Sequence, residues 1–282
     1  MKILILNAIL YTPRTISQRR YIPQIASIED CMIIKLGLEF ANQGHEVTLV
    51  AAEDYKPTNQ QDFPIEIVYF RSMLPKLFLP TVLPFHPQLI RFIKKRKEQF
   101  DMIISSEIFS FNSLFAACLV PDKTLIWQEA GNHNRKFFRL PSLLWYHIIA
   151  RIFMHNVKIV PRSLVAKKFA EQFRLKVSSD FIDHGVDGKI FHFQKEKKPF
   201  FIVIAHLDRD KNVMSILILY KKFIEQYSQK QYQLYIIGEG EDAERLKEYV
   251  QSNQLDKQIF FLGRISQKEL SNYLSNSICP VS

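Results

Sequence analysis

Apolar runs bounded by charged or turn residues recur along the chain, and their spacing alternates between strand and helix periods. Lys2–Leu6 is a short buried-strand run, cut off by Asn7 and Pro13. From Glu29 to Gln43, Met32, Ile33, Leu36, Leu38 and Phe40 recur at roughly helical spacing, and Gly44 follows as a C′ glycine would. His45–Ala51 and Ile65–Phe70 predict two more strands. A proline-studded segment (Pro75, Pro80, Pro84, Pro87) then leads into a helix over Leu89–Phe100. Met102–Ser105 and Thr124–Trp127 read as short strands around a helix, Phe111–Leu119. Pro141–Met154 predicts a helix, Val157–Val160 a strand, and Arg162–Phe173 another helix. In the last third, Phe200–Ile204 reads as a strand, followed by a basic turn through Lys211-Asn212 and a helix. Gln233–Ile237 then ends in Gly238-Glu239-Gly240, and after another helix Gln258–Leu262 ends at Gly263.

This alternation argues for an α/β protein with parallel sheets and helices on both faces. Lys195-Glu196-Lys197-Lys198-Pro199 has linker composition, which divides the chain into 1–194 and 195–282. Each strand end in the second part delivers backbone N–H groups or a cation to one sheet edge, where open α/β folds bind ligands. No internal repeat or low-complexity tract interrupts the pattern.

Composition changes this picture only in part. At 282 residues, 47% hydrophobic and 23% charged, the chain is globular and long enough for two domains. Cys31, Cys118 and Cys279 have neither metal-ligand spacing nor a disulfide framework, so a reducing cytoplasm is expected. The stretch most like a membrane span, Leu143 to Val160, is interrupted by His147, Arg151, His155 and Lys158.

The net charge of +10 is uneven. Residues 1–194 hold 25 Lys/Arg against 17 Asp/Glu, and residues 195–282 hold 13 against 11. A basic first half suggests an anionic partner. The residues lack the interleaved aromatics of a nucleic-acid module, so nucleic acid is not expected. Arg91, Lys94, Lys95, Arg96 and Lys97 follow Leu77-Phe78-Leu79 and Leu83-Pro84-Phe85, a combination that suits an anionic membrane surface. Leu144-Trp145-Tyr146-His147-Ile148 reads instead as domain core or interdomain packing.

In this order the motifs resemble the retaining GT-B glycosyltransferases, family 4 (glycosyl transferases group 1). Ala41-Asn42-Gln43-Gly44-His45-Glu46-Val47-Thr48 is similar to that family's first-domain pattern. Ile182-Asp183-His184-Gly185-Val186-Asp187, with Phe191, is similar to its Asn-Gly-Val-Asp…Phe motif, His184 replacing the asparagine. Its Gly-Arg-Leu…Lys-Gly turn falls on Ala205-His206-Leu207…Lys211-Asn212. Gly238, Gly240 and Gly263 match its strand-end glycines. The resemblance implies two Rossmann-like domains, with a nucleotide diphosphate sugar held mainly by the second.

Cations are needed there to offset the diphosphate and the charge that grows as the sugar leaves. Lys211 matches. His206 stands where arginine is expected, and Arg209 is the candidate substitute. The resemblance further implies a reaction-centre histidine after a first-domain strand. Gln128 occupies that place, with Glu129 and His133 nearby. Glu129 would orient an acceptor hydroxyl or act as a base; a solvated loop carboxylate is the plain alternative.

Retention of configuration, a lipid-linked or polysaccharide acceptor, a place in surface-glycan synthesis and no metal cofactor complete what the resemblance implies. Lys/Arg and helix dipoles take the place of the metal, and no Asp-x-Asp pair follows a first-domain strand. Two features depart from the pattern. A glycine pair near the first helix is replaced by Ala26-Ser27-Ile28-Glu29, of which only Glu29 matches. The Glu-x7-Glu element expected after a strand such as Ser277–Val281 is not reached, so an incomplete second domain in a C-terminally truncated chain is expected. The alternative is a non-catalytic remnant or partner protein that binds acceptor or membrane through its first domain.

Overall fold

The computed structural model describes residues 1–8, 10, 31–56, 62–79, 83–133, 139–183, 185–186, 188–227 and 232–281. The Ala26–Glu29 departure and the His184 and Asp187 positions of the motif lie outside the described residues. Contacts divide the chain into two units, Met1–His184 and Gly185–Ser282. This division falls earlier than 194/195. One reason is that the Ile190 carbonyl accepts a hydrogen bond from Ser271 Oγ, tying that stretch to the second unit.

The first unit is a seven-stranded parallel sheet in the order β3-β2-β1-β4-β5-β6-β7. Its strands are β1 (Lys2–Leu6), β2 (Glu46–Ala52), β3 (Glu66–Phe70), β4 (Met102–Ser106), β5 (Thr124–Gln128), β6 (Lys158–Pro161) and β7 (Lys176–Val177). Parallel strands buried on both faces need apolar side chains on both. Ile3 and Ile5 of β1 pack with helix α1 (Met32–Asn42), whereas Leu4 and Leu6 pack with α2 (Gln88–Arg96) and α3 (Phe111–Leu119). Helix α1 closes as its glycine foretells: Gly44 N–H donates to Ala41 O and His45 N–H to Phe40 O, the paired bonds of a Schellman cap.

The helix expected over Pro141–Met154 starts earlier and changes pitch. It runs as α4 (Arg139–Leu144), a π-helical segment (Trp145–Ala150) and α5 (Arg151–Phe153), followed after β6 by α6 (Leu164–Glu171). Trp145 and Tyr146 are core, as read from sequence, but Leu144 and Ile148 are half exposed. The short β7 has no counterpart in the apolar pattern.

The second unit is a four-stranded parallel sheet, β10-β9-β8-β11. Its elements are β8 (Lys198–Ile204), α7 (Val213–Gln226), β9 (Gln233–Ile237), α8 (Ala243–Ser252), β10 (Ile259–Gly263), α9 (Gln267–Asn276) and β11 (Ser277–Val281). Lys198 and Pro199, read as linker, begin β8. The register against β11 shifts between Ser277 and Cys279, so Pro199 falls at a bulge, where its missing N–H costs no ladder bond. Residues of α7 and α8 pack on one face of the sheet. Tyr273 of α9 meets Phe200 and Tyr235 on the other. Strand order reverses beside β1 in the first sheet and beside β8 in the second, which makes the carboxyl ends of those strands the natural binding edges.

Candidate functional site

At the carboxyl edge of the first sheet, three strand ends bring charged residues together. Glu107 follows β4 with φ 68°, a left-handed conformation that costs a residue bearing a Cβ. Its Oε1 accepts the Glu129 N–H at 2.9 Å, and both carboxylate oxygens accept the Ala130 N–H at 3.3 Å. Burial pushes this carboxyl up to about 7; the two N–H donors and Arg162 oppose that shift, and Glu129 adds to it.

Gln128, at the end of β5, is fully buried. Its Oε1 accepts the Ile108 N–H at 2.8 Å, while its Nε2 donates to Ala130 O at 2.9 Å and to Tyr146 Oη at 3.3 Å. The next residue points outward: the Glu129 side chain is 65% exposed, and its Oε2 lies 2.6 Å from Nη1 of Arg162, which follows β6. The Arg162 guanidinium sits 4.3 Å from the Trp127 ring centroid. His133 is set further back, its Nδ1 3.0 Å from Ser142 Oγ and its ring packed edge-on against Tyr146, Phe169 and Phe173. Burial, then Arg139 and His147, holds its pKa below the usual histidine value.

The carboxyl edge of the second sheet is zipped by backbone bonds. Ala205 N–H donates to Ile237 O, Leu207 N–H to Glu239 O, Asp242 N–H to Leu207 O and Gly238 N–H to Gly263 O. The segments Ala205–Leu207 and Gly238–Gly240 approach so closely that only glycine fits at positions 238 and 240. A Cβ on Gly238, where φ is +136°, would lie 1.9 Å from Ala205 O; one on Gly240 would lie 2.4 Å from Leu207 C and O.

A single 3₁₀ turn, Arg209–Lys211, then leads into α7. Asn212 caps that helix at φ 50°, ψ 37°. Arg209 is 78% exposed with its Nε 3.8 Å from Oδ1 of Asp242. Asp242 is buried and gripped at both oxygens by Arg245, at 2.7 and 2.6 Å. His206 and Lys211 are exposed, and Lys211 makes no ion pair among the described residues.

Residues 189–282, which hold this edge, match the glycosyl transferases group 1 family. Solved structures resemble the whole chain. Sucrose-phosphate synthase from Thermosynechococcus elongatus is 15% identical with a TM-score of 0.65, over 99% of this chain and 74% of that one. HepE from Anabaena, in complex with UDP and glucose, is 11% identical with a TM-score of 0.62, over 99% and 73%. The apo lipopolysaccharide outer core galactosyltransferase WaaB is 15% identical with a TM-score of 0.54, over 99% and 73%. The fold is that of the GT-B glycosyltransferases. No curated protein matches the chain by sequence.

Within this fold, the second edge gathers His206, Arg209, Lys211, Gly238, Gly240 and Gly263 as the sequence groups them. Gly238 and Gly240 are demanded by the strand ends themselves, independently of any ligand. Asn212 takes the left-handed conformation that a glycine would take there, so the substitution keeps the backbone path.

At the first edge, Gln128 and Glu129 leave the same strand end in opposite senses, one locked inside and one outside. His133 packs among rings. Glu107, Arg162 and Asp242 escape the sequence reading. The signal that could have found Glu107 and Arg162 is the one that singles out Glu129: a lone charge directly after an apolar strand run. Among the described residues no group of three His, Cys, Asp or Glu side chains converges to hold a metal ion.

Proposed function

We propose that this chain is a hexosyltransferase-type glycosyltransferase that takes a nucleotide diphosphate sugar as donor. The observation that carries this is the family match over 189–282, which coincides with the edge where Lys211 stands exposed at the start of a 14-residue helix. Lys211, His206 and the amino end of α7 offset the diphosphate charge in place of a metal. Arg209 contributes less, being shared with Asp242. The HepE structure, in complex with UDP and glucose, supports a uridine nucleotide in the donor.

The acceptor is lipid-linked or polysaccharide, as in the building of surface glycans, and configuration is retained. Glu129 orients the acceptor hydroxyl, with Arg162 holding its carboxylate. The protein works on the cytoplasmic face of an anionic membrane. No helix among the described residues is long and apolar enough to cross a bilayer.

A second reading, a binding protein without transfer activity, draws on Gln128. At the place where the family resemblance implies a reaction-centre histidine, this side chain is fully buried. Calorimetric titration with UDP, ADP and GDP, followed by release of sugar from a panel of UDP-sugars with and without EDTA, separates the readings. UDP binding with EDTA-insensitive turnover supports the transferase. UDP binding without turnover supports the binding protein, and no binding of UDP, ADP or GDP removes the transferase.

A further inference from the structure

The helix from Arg139 to Phe153 is organised in lanes four residues apart. Ser142, Tyr146, Ala150 and, just past its end, Met154 are buried. On another side, Leu140, Leu144, Ile148 and Ile152 are 64, 50, 48 and 56% exposed, with Phe153 beside them at 47%. A third lane holds exposed Arg139, His147, Arg151 and His155, with half-buried Leu143 between the first two. An α-helix of about 3.6 residues per turn would wind a four-residue spacing around its axis. The wider turn of the π segment Trp145–Ala150 counters that drift and keeps the apolar row in line.

The surrounding charge is one-sided. From Ala130 to Ala170 the sequence holds eight Lys and Arg, three His and no Asp or Glu. On its inner side the helix is linked to a second exposed apolar segment through a chain of rings. Trp145 meets Phe111 at 5.2 Å, and Phe111 meets Phe78 at 4.9 Å. The turn before Phe78 exposes Met73, Leu74 and Leu77 beside Arg71 and Lys76.

We propose that this ridge is the surface by which the protein lies on an anionic lipid bilayer. The Leu140–Ile152 lane enters below the headgroups, and the Arg139–Arg151 lane meets the lipid phosphates. A continuous apolar row on a helix whose other side is already packed marks an interaction site. An apolar row flanked by cations is the interfacial-helix arrangement. At about 22 Å the helix is too short to span a bilayer and suits lying in its plane. The basic helix α2 is the weaker candidate. Its Arg96 is paired with Glu66 and lies over Phe92 and Phe100, and Lys97, just past its end, faces Glu98. This inference names the surface for the membrane contact proposed above and does not depend on transfer activity.

The test is sedimentation of the full chain, without donor, with vesicles of phosphatidylcholine alone or mixed with phosphatidylglycerol, at low and high salt. Wild type binds the phosphatidylglycerol vesicles, more weakly at high salt, and binds phosphatidylcholine at least tenfold less. Leu144→Gln/Ile148→Gln/Ile152→Gln lowers binding at least tenfold and Arg139→Gln/Arg151→Gln at least fivefold. Lys94→Gln/Lys95→Gln stays within twofold. The mutated apolar positions are half exposed, so thermal melts of all variants match wild type. Undiminished binding by the triple apolar variant overturns the proposal, as does wild type that ignores phosphatidylglycerol. A wild-type dimer that the triple variant abolishes, without vesicle binding, also overturns it and assigns the ridge to a second copy of the chain. UDP titration of the same variants reports separately on the donor reading.

Discussion

Glu107 and Gln128 lock each other's turns. The Glu107 carboxylate accepts the N–H groups of Glu129 and Ala130, and the Gln128 amide oxygen accepts the N–H of Ile108. Each side chain satisfies the backbone just beyond the other, so the carboxyl ends of β4 and β5 behave as one rigid edge. Buried backbone donors left without a partner cost about 1–3 kcal/mol each, which gives the lock its value. Glu129, the outward residue of that edge, is thereby presented from a fixed base.

Glu107 gives the fold a pH dependence of definite sign. Its folded pKa, raised by burial to about 7 from 4.5, means that the folded state keeps a proton the unfolded chain has lost. The resulting stability is full below about pH 4.5 and is lost as pH rises through 7. At about 1.4 kcal/mol per unit, wild type loses about 2 kcal/mol from this group between pH 5 and 8. Glu107→Gln removes that loss, and titrations of the histidines, present in both proteins, cancel in the difference. Urea unfolding at both pH values checks it; parallel profiles for the two proteins would refute the role.

The three strand-end glycines separate by cause. Gly238→Ala and Gly240→Ala each drive a Cβ into rigid backbone and are expected to cost more than about 3 kcal/mol. Gly263→Ala meets no atom closer than 3.6 Å and carries only the left-handed penalty at φ +63°, about 1–2 kcal/mol. Denaturant titration followed by tyrosine fluorescence ranks them. Equal, small losses at all three would mean the close approach is not maintained in solution.

Lys211 and Arg209 differ in what they have left to offer an anion. Lys211→Gln is expected to weaken UDP binding about tenfold or more, the worth of a charge-assisted hydrogen bond. Arg209→Gln is expected to weaken it less than about threefold, because Asp242 already shares that cation. Calorimetry decides, and a larger effect at Arg209 would reverse the assignment.

Arg162 is expected to matter more to stability than its partner. Its side chain is 8% exposed and lies over Trp127, whereas Glu129 is 65% exposed. Arg162→Met is expected to cost about 1–2 kcal/mol, chiefly through the lost ring contact, and Glu129→Gln under about 1. A double-mutant cycle showing coupling well above about 1 kcal/mol would place the ion pair, not the ring, in charge of this edge.

Most of the fold is legible in the chain because its strands are buried on both faces and read as unbroken apolar runs. β1 and α3 are read with the very limits they show, and the Gly44 cap is announced by its residue type. β7 is not legible, since two residues carry no periodicity. The candidate site divides the same way. Lys211, Gly238 and Gly240 follow from strand-turn-helix order alone, a local property.

What the amino-acid sequence determines by itself is therefore the succession of elements and which residues stand at strand ends. Tertiary structure alone decides which strand ends are neighbours. Glu107, Glu129 and Arg162 are far apart in the chain and meet only because β4, β5 and β6 pair side by side. It also decides which lane of the Arg139–Phe153 helix faces outward. Apolar residues occupy both the buried and the exposed lanes, so the pattern is degenerate. Only the packing of Trp145, Tyr146 and Ala150 against the core leaves Leu144 and Ile148 in solvent.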